Sequence, residues 1–240
     1  MPDSFAVKRV AALQLRGMGG PLRARVCWPP SSRAGSGLLL FFAHHGRLEA
    51  AAAVADGLCA RAGVVVLSAT CWMTVDDPFR TALDKASGVM AWAADHAADL
   101  EADPARLAVA GDRRGGALAA AMALHARDRR WPVITRQLLI EPDFGAQPPA
   151  DPGLLGTDAS LLAPVNAVSL AGVAPATVVT AGDGPLTGHG RLYSERLRRA
   201  GVEVEERHYT DRDAESDAVL AALATSLRRN HQPQPHRGQQ

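Results

Sequence analysis

Five short apolar runs, "GLLLFFAHH", "VVVLSAT", "RLAVAGD", "ITRQLLIEP" and "ATVVTAG", recur along the chain with helical stretches between them. This alternation constrains the fold more than any other feature. A brief, continuously apolar run suits a strand covered on both faces. The stretches between the runs carry helical patterns: "LEAAAAVADGLCARAG", closed by Gly63, then Arg80 to Leu100 after the turn "VDDPF", then "GGALAAAMALHARD" and "LYSERLRRAG". "LQLRG" and "LRARVCWPP" add short strands before this series, "VEVEERHYT" adds one after it, and Glu215 to Arg229 reads as a closing helix. Strand and helix in alternation predict an α/β fold with a mostly parallel central sheet and helices on both faces. Residues 1–229 are expected to form one such domain, with the Pro/Gln-rich stretch 230–240 as a disordered tail.

Composition narrows the function classes. A chain of 240 residues with 47% hydrophobic content can bury one sizeable core. Its formal net charge of +1 provides no overall field for nucleic acid or an anionic membrane, so neither is expected as a partner. Cys27, Cys59 and Cys71 have no metal-type spacing and lie in apolar patterns, which suits buried reduced thiols and a cytoplasmic location. The N-terminus shows no basic segment followed by an apolar one. Neither metal nor cofactor is expected: His189 and His208 have no ligand spacing, and "GDRRGG" matches neither G-x-G-x-x-G nor a P-loop. The expected assembly is a monomer or homodimer.

In open parallel sheets ligands bind beyond the C-terminal strand ends, and the unusual residues follow those ends in "FFAHHGR", "TCWM", "GDRRGG", "AGDGPLTGHG" and "YTDRDAE". Arg113, at the centre of a strand-to-helix turn, is a candidate for stabilising negative charge, as a fixed guanidinium does. His44 or His45 is the candidate acid/base. Arg47, Leu48, Arg114 and Asp183 are candidate substrate contacts, and Trp72, Met73 and Phe79 form a candidate apolar wall. Asp183, Asp211 and Asp213 are also read as turn or capping residues.

The run "DPARLAVAGDRRGGALAAAMALHARD" resembles the hormone-sensitive-lipase and acetyl-esterase branch of the α/β-hydrolases, whose members read G-D-S-A-G-G there. "VVVLSATCWMTVDDPFRTALD" and "APATVVTAGDGPLTGHGRLYSERLRRAGVEVEERHY" resemble further segments of the same branch. The resemblance implies an α/β-hydrolase fold, and the chain departs from the family in a reduced or absent cap, with the stretch from Phe144 to Ala174 shorter than usual. Carried over position by position, it puts Arg113 at the nucleophile, Gly184 at the acid, a position near Ala214 at the histidine, and "HHGR" at the oxyanion loop. Arginine stays protonated and cannot be a nucleophile at ordinary pH, so the resemblance leads to an expected loss of the triad. The expected function is then non-hydrolytic: an isomerase acting on a small-molecule or modified-peptide substrate, similar to the atypical bottromycin-type epimerases of peptide natural-product biosynthesis. The alternative is a binding protein for a small carboxylate, of the hydrolase-like receptor type.

Overall fold

The computed structural model describes residues 7–15, 22–31, 35–43, 51–71, 78–145, 163–210 and 217–230. Eight strands form one sheet: β1 (Arg9–Leu15), β2 (Leu22–Trp28), β3 (Ser36–Phe42), β4 (Val65–Ala69), β5 (Ala102–Asp112), β6 (Ile134–Ile140), β7 (Ala176–Ala181) and β8 (Val204–Tyr209). The order across the sheet is β1-β2-β4-β3-β5-β6-β7-β8. Only the pairings of β1 with β2 and of β2 with β4 are antiparallel, and the rest are parallel. The helices are α1 (Ala52–Ala62), α2 (Phe79–Asp95), α3 (Arg114–Arg129), α4 (Pro185–Arg199) and α5 (Asp217–Asn230).

The central strands are buried on both faces, as their unbroken apolar sequence requires: Leu38 to Phe42 and Leu107 to Ala110 are all at most 1% exposed. One layer places α2, α3 and Tyr193 of α4 against Leu38, Leu40, Phe42, Leu107 and Val109. The other places α1 and α5 against Leu39, Phe41, Ala108 and Ala110. The alternation of side chains along β3 and β5 thus assigns successive residues to opposite cores.

Several boundaries differ from the sequence reading. Helix α2 stops at Asp95 rather than Leu100. His96 leaves helical geometry and its ring stacks on Trp92 at 4.6 Å, while the Leu100 amide is shared between the carbonyls of His96 and Ala97 and the Ala102 amide donates to Ala97, which ends the regular helix. Helix α4 begins earlier than "LYSERLRRAG", because Pro185 suits a first helical turn and the Thr187 hydroxyl donates to the carbonyls of Ala181 and Gly182. Gly63 closes α1 in a left-handed conformation, as its position suggested. A short 3-10 turn, Pro164–Asn166, lies between β6 and β7. Helix α5 runs to Asn230, and 231–240 lies outside the described residues. Cys27, Cys59 and Cys71 are buried and free, and burial pushes the Cys71 thiol up to about 12. Among the described residues, no helix is long and apolar enough to cross a membrane.

Candidate active site

The turn between β5 and α3 is built from glycines. A Cβ on Gly111 would lie 2.1 Å from the Gly115 carbonyl oxygen, and one on Gly115 would lie 2.0 Å from that of Phe42. Strand and helix therefore approach more closely than any side chain permits. This tight crossing forces the residue between them into an unusual conformation, and Arg113 has φ 49° and ψ −118°. Such a backbone costs about 1 to 3 kcal/mol and persists only where the surroundings over-determine it. Here the Arg113 amide donates to the Ile140 carbonyl at 2.8 Å, and the Arg113 carbonyl accepts from the amides of Asp143 at 2.9 Å and Ala117 at 3.1 Å.

The side chain so displayed is half exposed, and its guanidinium lies 3.4 Å from the Glu141 carboxylate. Glu141 directly follows β6, is only 5% exposed and also has a positive φ, 43°. Its amide donates to Val179 at 2.7 Å, which anchors it between β6 and β7. The structure pairs Arg113 with Glu141. Because only one edge of the guanidinium faces Glu141, further N–H donors stay available toward solvent.

Next to this pair stands a second one. Asp143 Oδ1 lies 3.7 Å from His189 Nδ1 and accepts from the Gly145 amide at 2.9 Å. The His189 Nδ1 atom is buried and has no hydrogen-bond partner among the described residues, while the side chain as a whole is 30% exposed, so its accessible part is elsewhere on the ring. The ring stands 6.4 Å from that of Phe144. Helix α4 brings it there by close packing, since a Cβ on Gly190 would meet Thr180 Cγ2 at 2.5 Å.

Of the residues picked from sequence, Arg113, Arg114, Asp183 and Phe79 lie in described regions. Arg114 opens α3, Asp183 is exposed just before α4, and Phe79 opens α2, packed against the core. His44, His45, Arg47, Leu48, Trp72, Met73, Asp211 and Asp213 lie outside the described residues. Glu141, Asp143 and His189 were not singled out as a site. The available signal was "LLIEPDFG", in which an acidic residue ends an apolar strand at the same level as the elbow.

A family model described as α/β hydrolase fold matches residues 41–154 and 150–213. Esterase LipI of Mycobacterium tuberculosis (strain ATCC 25618 / H37Rv) is 32% identical over 228 residues, covering 82% of this chain and 71% of that protein. Carboxylesterase NlhH of M. tuberculosis (strain CDC 1551 / Oshkosh) is 33% identical over 214 residues, and the chain spans 66% of its length, just under two thirds. Among solved structures, the thermostable carboxylesterase EstE1, cloned from a metagenomic library, superimposes with a TM-score of 0.85 at 25% identity, over 96% of this chain and 92% of that one. An esterase of Pyrobaculum calidifontis gives 0.82 at 27% identity, over 93% and 86%. The chain belongs to the α/β-hydrolase fold family.

These relatives overturn the non-hydrolytic expectation. The isomerase or epimerase of peptide natural products was inferred from three altered positions, and the carboxylate-receptor alternative from the same three; over most of the chain the similarity is to proteins named for ester hydrolysis. The physical reason for the miss is that altered positions exclude one route to hydrolysis, the acyl-enzyme at position 113, without excluding attack by water.

Proposed function

We propose that this chain is a carboxylic-ester hydrolase whose attacking group is water instead of a side chain at the elbow. The observation that carries the reading is Arg113 on a preserved, strained elbow, half exposed and held by the buried Glu141. In this reading the triad seats are given up: Arg113 stands at the nucleophile position, Gly184 at the acid, and no histidine near Ala214. Arg113 instead donates to the ester carbonyl oxygen and stabilises the oxyanion that forms on attack. His189, beside Asp143, takes a proton from the attacking water and returns it to the departing alkoxide, so ester and water become acid and alcohol with no covalent intermediate. His44 and His45, which follow β3 in the sequence, are the competing candidates for that base. Arg47, Leu48, Trp72 and Met73 remain the candidate substrate contacts, joined by Arg114 and Asp183. A soluble cytoplasmic enzyme, monomer or homodimer, without cofactor or metal, completes the reading. The esterase relatives support the reaction class, and the Arg113–Glu141 geometry supports the route.

The test is hydrolysis of p-nitrophenyl acetate and butyrate by the full chain. Turnover without an initial burst is expected, with kcat/KM lowered about 100-fold in Arg113→Met, as for loss of an oxyanion donor, and at least about tenfold in the histidine variant that removes the base. A fluorophosphonate probe, which labels activated serines, should leave the protein unlabelled. Absence of turnover on both esters, or a burst with probe labelling, overturns the proposal.

A further inference from the structure

At the opposite end of α3, the chain turns into β6 through Arg130, Trp131, Pro132 and Val133, and a groove of about 230 Å³ opens beside this turn. Ala126, Val133, Ile134 and Ala174 supply apolar walls, and Arg127 and Arg130 supply its cations. The two arginines differ. Arg127 is occupied, donating to Asp128 and to the carbonyls of Ser169 and Ala171, and so ties the far wall in place. The Arg130 guanidinium has neither hydrogen bond nor ion pair among the described residues. Arg130 also holds a left-handed backbone, φ 56° and ψ 24°, where glycine or asparagine is the usual helix-ending residue. Large apolar groups remain in water alongside it, with Trp131 47% and Val133 67% exposed. The C-terminal end of α3 disfavours an anion, and the carbonyls of Ala126 and Arg127 moderate this by accepting from the amides of Trp131 and Arg130 at 3.1 Å each, which leaves Arg130 as the attractive group.

We propose that this groove is a binding site for small apolar carboxylates, with the aliphatic or aromatic body against Ala126, Val133 and Ala174 and the carboxylate on Arg130. The charge preference follows from the exposed Arg130 guanidinium, which has no partner among the described residues and can offer a carboxylate two parallel N–H donors beside an apolar wall. The size limit follows from volume: 230 Å³ holds about eight waters at about 30 Å³ each, and therefore one ring or a short acyl chain. Acids of this class are what ester hydrolysis releases, but binding here is measured without turnover, so the two readings can fail separately.

Isothermal titration calorimetry of the full chain with phenylacetate and with hexanoate tests the proposal. Saturable binding at one site is expected, weakened about tenfold or more when the carboxylate is replaced by the neutral phenylacetamide, and similarly in Arg130→Gln. Val133→Glu, a change at an exposed position, should weaken it to a like degree by placing a carboxylate in the wall. Arg113→Ala, at the other end of the helix, should leave the affinity unchanged. No saturable heat with either acid, equal binding of phenylacetamide, affinity retained in both Arg130→Gln and Val133→Glu, or affinity lost in Arg113→Ala overturns the proposal.

Discussion

Helix α3 is bounded by two arginines in left-handed φ, Arg113 at 49° before its first residue and Arg130 at 56° after its last. The two are strained for different reasons. Arg113 is forced, because glycine packing at 111 and 115 and three backbone hydrogen bonds leave the turn no other path. Arg130 is merely a helix-ending residue, in a conformation that α1 reaches more cheaply with Gly63. The forced arginine is paired with the buried Glu141, and the unforced one lacks a partner among the described residues. Strain that packing imposes says little about the side chain, whereas strain that a commoner residue would relieve points to something the side chain does.

The comparison can be broken most severely at its rigid end. Gly115→Ala puts a Cβ about on top of the Phe42 carbonyl and should cost more than about 4 kcal/mol or prevent folding, as read by urea denaturation. Arg113→Ala leaves the Glu141 carboxylate without its cation and should cost about 1 to 2 kcal/mol. Most of that loss should vanish in a Glu141→Gln background, which a double-mutant cycle measures. At the other end the sign reverses: Arg130→Gly should raise stability by about 1 kcal/mol while abolishing carboxylate binding in the groove. A destabilised Arg130→Gly protein would remove the distinction between the two ends.

The smallest effect at neutral pH concerns Cys71, just beyond β4 on the elbow side of the sheet. Its thiol is held protonated by burial, with a pKa raised from about 9 to about 12, so the folded chain binds the proton more tightly than the unfolded one. Stability from this group is complete below pH 9 and falls as pH rises toward 12, by up to about 1.4 kcal/mol per pH unit. Iodoacetamide at pH 8 should therefore leave native Cys71 unmodified, and mass spectrometry of the alkylated protein checks it.

Much of the fold was legible because its signals are local. The runs that became β3, β4, β5 and β7 are almost wholly apolar and β6 ends in an apolar LLI, and short runs of this kind set between helical patterns suit strands covered on both faces. The elbow was equally readable, since Gly111 and Gly115 at their fixed spacing dictate the crossing whatever lies between them. The charge network was not. Glu141, Asp143 and His189 are brought together by the parallel pairing of β6 with β7 and by the seating of Gly190 against Thr180. That information sits in strand order, which residue spacing does not encode. The reaction class was misread for a related reason: a missing serine was taken as a missing reaction.

The glycine crossing also affects how this scaffold can change over time. Because backbone contacts hold the turn at Arg113, changing the displayed side chain forfeits the ion pair with Glu141 but leaves the turn itself in place. A single codon change there alters the chemistry offered to the cleft while the architecture stays intact, so the position can explore reactive groups at little structural risk. The neighbouring glycines have no such freedom, and a lineage carrying this fold can vary the tip of its elbow far more readily than the hinge beneath it.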